Sequence, residues 1–247
     1  GLLQEGLVAS DAALDEIDAV DSVDEQFLGY RAVHWAMNLR GRILLRMCRF
    51  QEARECFRMM LAIDAREVDP TVRFIAHMGC LEIAAARMEP ENAGEHAAEV
   101  ERIASQYPNA YLRVFSLAAQ GLSAEISGRP ELAVGPYAES LALLRQSRAA
   151  MEYESELMAS LAECHLQLGA HQQARELATL TLSMSRSRTQ RLPQCRAYMV
   201  MAALAIEANP ADREEWSELL AHAEHLIDRT GAAIYLPRLA MLRARAV

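Results

Sequence analysis

Residues 41–57 read GRILLRMCRFQEARECF. A glycine is followed twelve positions later by Ala53, and four positions after that by Phe57. The same triplet returns as Gly121, Ala133 and Tyr137, and as Ala162, Ala174 and Ala178. A weaker copy is Leu81, Ala93 and Ala97, so alanines 53, 93, 133 and 174 lie 40, 40 and 41 residues apart. A fixed period of this size, carried by helix-forming residues, is the signature of stacked helical repeats. Two helices joined by a short turn approach closely only where side chains are small. Gly41 with Ala53, and Gly121 with Ala133, are therefore expected at close helix contacts, with Phe57 and Tyr137 filling the groove between successive pairs. Each pair alone leaves an apolar face in water, so the pairs must stack.

Working outward, breakers divide the chain into paired helices. Asp69-Pro70 and Glu89-Pro90 bracket one helix, and Pro108-Asn109 opens the next, which closes at Gly128-Arg129-Pro130. Proline suits a first helical turn, where its missing N–H costs nothing. Helices over about 131–146 and 150–168 follow, with Gly169 as a C-terminal cap and residues 172–185 as the partner. Pro193, the Asn209-Pro210 turn with the Asp212 cap, and Gly231 mark the remaining boundaries, leaving a last helix over 232–246. Counting back one period from Ala53 gives Ala13, in a helical run over 10–20 capped by Ser10 or Asp11. The pattern predicts about twelve helices, most of 14 to 20 residues. The expected fold is all-α, a right-handed superhelical solenoid of antiparallel helix pairs.

Composition agrees. Of 247 residues 52% are hydrophobic, and with 11 glycines and 8 prolines long stretches carry no breaker. The longest strongly apolar run, 198–206, falls far short of the roughly 20 residues a bilayer demands, so no membrane partner is expected. The five cysteines, Cys48, Cys56, Cys80, Cys164 and Cys195, form no CxxC. They read as free thiols in a reducing cytosol, not as disulfides or metal ligands. All 25 basic residues are arginine, which removes phosphate-binding and Schiff-base lysines. Residues 1–26 carry −8 of the net −9, and this balance argues against nucleic acid. A local exception is the acid-free stretch holding Arg186, Arg188, Arg191 and Arg196.

The pattern resembles tetratricopeptide repeats: RFQEARECF at 49–57, GRPELA at 128–133 with Tyr137, and LGAHQQA at 168–174 look like that family's turn and second helix. The repeat near 40 departs from the family's length of about 34 and is similar to the helical regions of large bacterial signalling ATPases. One group of these carries a class III adenylate/guanylate cyclase domain, another a LuxR/MalT-type DNA-binding domain. LIDRTGA at 226–232, YLP at 235–237 and LRARA at 242–246 are similar to how the cyclase group often ends. The resemblance implies one repeat domain over 1–247, excised from a longer multidomain protein and working beside its neighbouring domains.

The common catalytic signatures GxGxxG, GxxxxGK[ST], GxSxG and HExxH are absent, so no enzyme activity, cofactor or metal is expected of this segment. His222 and His225 share a helical face without a third ligand and read as a polar surface. Arg31, Trp35, Asn38, Arg42 and Arg46 step by 4, 3, 4 and 4, one face of a helix. By the resemblance, first helices line the concave surface, so Asn38 and Arg42 face a ligand. Arginine and asparagine there suit a carboxylate or an acidic protein or peptide, with Trp35 as apolar anchor. The competing reading is a solvated arginine face. Glu156, Ser160 and Glu163 occupy related positions later, so the surface is expected to change sign along its length. Two functions remain open. One is a protein or peptide interaction scaffold in a cytoplasmic signalling protein. The other is a sensor that encloses a small ligand, which a deep pocket lined by several repeats would favour.

Overall fold

The computed structural model describes residues 2–17, 31–63 and 69–245. Among them are twelve α-helices: α1 (Leu3–Asp15), α2 (Ala32–Arg46), α3 (Phe50–Leu61), α4 (Pro70–Ala86), α5 (Pro90–Gln106), α6 (Ala110–Ile126), α7 (Pro130–Ser147), α8 (Glu154–Gln167), α9 (His171–Ser187), α10 (Arg191–Ala208), α11 (Arg213–Thr230) and α12 (Leu236–Arg245). Short 3₁₀ turns precede α8 and α12. Each helix packs on its neighbours in sequence, and α2, α4, α6, α8 and α10 are the first helices of five pairs. The last helix begins later than its apolar pattern suggests, because Ala233–Tyr235 winds as 3₁₀ before Pro237 takes its place in the first α turn.

Local chemistry explains the boundaries. Asp69 accepts from the Thr71 amide at 2.7 Å to cap α4, and Asn109 from the Tyr111 amide at 2.8 Å to cap α6. The turns inside the first four pairs are built alike. Cys48, Met88, Gly128 and Gly169 all have positive φ, 61°, 58°, 71° and 70°, and they recur at the repeat period. Each is closed by the same two bonds; at Met88 these run from Met88 N–H to Ala85 at 3.1 Å and from Glu89 N–H to Ala84 at 2.9 Å. That is a Schellman motif, which satisfies carbonyls the helix leaves open. One expectation fails. The first helix starts at Leu3, and Ser10 is no cap: it is buried mid-helix with its hydroxyl donating to the Leu7 carbonyl at 2.8 Å. Asp11 instead accepts from Arg40 at 2.6 Å. The end of that 10–20 run, and the acidic residues from Asp18 to Glu25, lie outside the described residues.

The small residues do what the repeat demands. Ala53, Ala93, Ala133 and Ala174 are fully buried. A Cβ on Gly41 would come within 2.6 Å of the tip of the Phe57 ring, and one on Gly79 of α4 would meet the same tip still more closely. Phe57 thus wedges between one pair and the next, a burial worth about 1.5–3 kcal/mol. In the third pair the Tyr137 ring covers Gly121, where a Cβ would lie 2.7 Å away.

The far end of the chain closes on the beginning. Ile234, in the turn before α12, packs against the core of Leu7, Met37 and Leu44, and this turn touches α2. On its other side α12 sets Leu239 and Leu242 into the core of α10 and α11. The solenoid is therefore a ring around a bore.

Candidate functional site

Every first helix turns one face into that bore, and α12 completes the wall. The cavity holds about 280 Å³ and is lined by Arg46 of α2, Glu82 of α4, Leu122 and Glu125 of α6, Glu156, Ser160 and Glu163 of α8, Arg196 of α10 and Arg238 of α12. Tyr137, Tyr153 and Tyr235 add aromatic surface.

The charges are organised as pairs. Arg42 and Arg46 both donate to Glu82, at 3.0 and 2.9 Å. Arg196 holds Glu163 with two nitrogens, at 3.1 and 2.5 Å, and reaches Glu156 and Ser160 at 2.9 Å each. Arg238 donates to Glu163 Oε1, the oxygen that also accepts from Arg196 Nε. These are charge-assisted contacts, two-pronged between Arg196 and Glu163. Burial alone would push the Glu163 carboxyl up, but Arg196 and Arg238 together outweigh it and bring it down to about 2. Burial likewise works against the Glu82 carboxylate and the Arg46 guanidinium. The arginines lower Glu82, and Glu82, Tyr235 and Glu156 raise Arg46.

Glu125 is different. It accepts from the Tyr137 hydroxyl at 3.0 Å and from Gln167 at 3.5 Å, and among the described residues no arginine or histidine lies in ion-pair range of it. Burial, followed by the nearby Glu163 carboxylate, pushes Glu125 above the usual carboxylate range, against the pull of Arg196, the Tyr137 bond and Arg238.

Of the residues singled out in the sequence, Arg46, Glu156, Ser160 and Glu163 meet in the main bore. Trp35, Asn38 and Arg42 line an adjoining cleft of about 30 Å³ with Phe74, Tyr111 and Phe115, and Glu82 belongs to both walls. Asn38 is 4% exposed, whereas Trp35 remains 39% exposed. Arg31 stands exposed at the start of α2 and reaches neither cavity. The arginines of α2 are not a bare cationic face, because Glu82 already answers them. Two arginines of the basic stretch in and before α10 are likewise absorbed, Arg188 by Glu154 at 3.0 Å and Arg196 by the bore. Sequence reasoning missed Glu82, Glu125, Arg196 and Arg238. His222 stacks on Tyr198, with ring centroids 4.9 Å apart.

No protein-family model and no curated protein matches the chain. Solved structures do. The crystal structure of BtubC (BKLC) from P. vanneervenii aligns over 92% of each chain at a TM-score of 0.60 and 12% identity. The structure of a Rap protein complexed with competence and sporulation factor aligns over 99% of this chain and 71% of that chain, at a TM-score of 0.68 and 14% identity. At such identities the likeness is one of fold, and with the repeat geometry it makes this chain a tetratricopeptide-like helical-repeat protein.

Proposed function

We propose that this chain is an interaction and regulatory domain that takes a protein or peptide segment into its concave face. The observation that carries this reading is the convergence of all five first helices and α12 on one charged bore. Solenoids of this kind bind along such surfaces. The Rap protein, similar in fold, was solved with competence and sporulation factor. Arg42 and Arg46, beside Trp35, suit an acidic segment, which would enter by exchanging with Glu82. The sequence resemblance supports reading it as a domain of a longer bacterial signalling protein with an ATPase and a cyclase module. The five free cysteines fit the cytoplasm, and among the described residues no helix is long and apolar enough to cross a membrane.

A second reading is a sensor of a small ligand acting on a LuxR/MalT-type output domain. The cavity of about 280 Å³, walled by six helices though open to solvent, favours it. One experiment addresses both. Wild type, Arg42→Ala with Asn38→Ala, and Ser160→Trp are used to capture partners from the source cell's lysate, with protein and small-molecule fractions read by mass spectrometry. The double variant should lose an acidic partner, and the tryptophan should block whatever enters the bore. Equal recovery on all three proteins removes the concave face as the binding site.

A further inference from the structure

We infer that the bore takes a zwitterion, a free amino acid or short peptide whose ammonium group meets Glu125 and whose carboxylate joins Arg46. This rests on the concave face being the binding surface, and adds to it the chemistry of the occupant.

The inference comes from how the wall's charges are matched. Arg196 and Arg238 face Glu156 and Glu163, two cations to two carboxylates. Arg42 and Arg46 share the single carboxylate of Glu82, which leaves one positive charge in excess at the α2–α4 corner. Glu125 has only the Tyr137 hydroxyl and the Gln167 amide, which leaves one carboxylate in excess on α6. Arg46 and Glu125 line the same cavity, and Leu122, Ile126 and Ile234 supply apolar wall. The bore itself is lined by three arginines and four glutamates; with Arg42 of the adjoining cleft the charges sum to zero, and they are dipolar, positive at the α2–α4 corner and negative at Glu125. A simple anion satisfies one end and a simple amine the other, while a ligand with both groups satisfies the two together. A carboxylate half-withdrawn from water, without a cation and near another carboxylate, is unfavourable, so the site gains most from the ligand that supplies one. The volume of about 280 Å³ is at the small end for ligand cavities, which suits an amino acid or a few residues of peptide.

The test is titration calorimetry on the 247-residue chain with leucine, tri-alanine and tri-leucine, each tripeptide also N-acetylated and C-amidated. Free-ended probes should bind, and leucine against the tripeptides separates an amino-acid site from a peptide site. Acetylation, or Glu125→Gln, should each weaken binding about 10- to 100-fold, the loss of one charge-assisted contact. Amidation and Arg46→Gln should do the same at the other end. The ends should be coupled, so acetylated peptide should bind Glu125→Gln as well as it binds wild type. Glu125→Gln keeps the acceptor for Tyr137, and circular dichroism checks that every variant folds. Capped peptides binding as tightly as free ones overturn the zwitterion, as does the absence of any binding by free-ended probes at about 10 mM. In either case, loss of partner capture by Ser160→Trp leaves the bore standing as the binding face, and unchanged capture removes that as well.

Discussion

Met88→Gly should stabilise this protein, although it deletes a side chain and makes no new contact. Met88 is the αL residue of the α4–α5 turn, at φ 58°, and is 68% exposed, so truncation forfeits little packing. The equivalent positions one and two repeats on are Gly128 and Gly169, at φ 71° and 70°. A left-handed conformation costs a residue with a Cβ about 1–2 kcal/mol, a cost glycine does not bear. Glycine also gains freedom in the unfolded chain, which returns about 0.4–1 kcal/mol of that. The net expectation is about 0.5–1 kcal/mol in favour of Met88→Gly. Gly128→Ala supplies the mirror experiment. A Cβ at Gly128 meets nothing within 4 Å, so the variant carries strain without a clash and should lose a similar amount. Urea unfolding followed by circular dichroism measures both, with the midpoint moving and the slope unchanged. In a solenoid the gain is felt first by adjoining repeats, so amide exchange in α4 and α5 should slow most. A loss of stability in Met88→Gly, or no effect in Gly128→Ala, would show that these turns carry no left-handed strain.

Ala133→Leu, at a fully buried contact between α6 and α7, should over-pack and destabilise by about 1–3 kcal/mol; a neutral urea midpoint means the repeat register is misplaced. Glu163→Gln should cost about 3–5 kcal/mol at neutral pH, because Arg196 and Arg238 lose their shared charge partner. Glu163 is depressed from 4.5 to about 2, so its contribution is present above the ordinary value and lost as pH falls toward 2; the deficit of the variant should shrink across that window, and a constant deficit refutes the assignment. Glu125 is shifted the other way, so its contribution is present below the ordinary carboxylate range and lost as pH rises through the raised value. Glu125→Gln should therefore be more stable than wild type at neutral pH and converge with it in acid, and a variant weaker at neutral pH would mean Glu125 is paired after all.

The repeat was legible because close packing admits few residue types. Gly41, Ala53 and Phe57 are dictated by the approach of backbones, so they recur at a fixed interval that can be counted without knowing the fold. The turns were half legible: Gly128 and Gly169 announce a left-handed residue, while Cys48 and Met88 adopt the same conformation without the glycine that would reveal it. Part of the charge network follows the same period. Arg42 meets Glu82, and Glu156 meets Arg196, each one repeat of 40 residues along. Residues one period apart on first helices are neighbours across adjoining pairs, so adding the period to Arg42 would have found its partner. Arg238 and Glu163 are 75 residues apart, which is no multiple of the period. Their meeting depends on the curvature that brings α12 around to the bore, a sum of small rotations that no local pattern encodes. Ser10 misled for a related reason. A serine reads as a cap until the helix before it is known, and here its hydroxyl bonds back to the preceding turn.

Glu125 is the place where these levels disagree. The alanines, the caps and three of the four bore glutamates each have the partner that folding asks of them. Glu125 is half-buried on the same bore with a tyrosine and a glutamine for company and another carboxylate nearby. A substitution as mild as glutamine would keep an acceptor for Tyr137, give up only the long Gln167 contact, and remove the unfavourable charge, so stability does not explain an acid at this position. Groups that break a local rule without structural compensation belong, as a class, to functional sites. A cation delivered by a ligand supplies the missing compensation, and only the liganded state then has every bore charge matched. Such a ligand stabilises the fold by mass action, by about 2.7 kcal/mol at a hundredfold excess over its dissociation constant. Because α2, α6 and α12 all line this cavity, that stabilisation would fall on the closure of the ring itself. Occupancy would then be reported at the seam where the end of the solenoid meets its beginning.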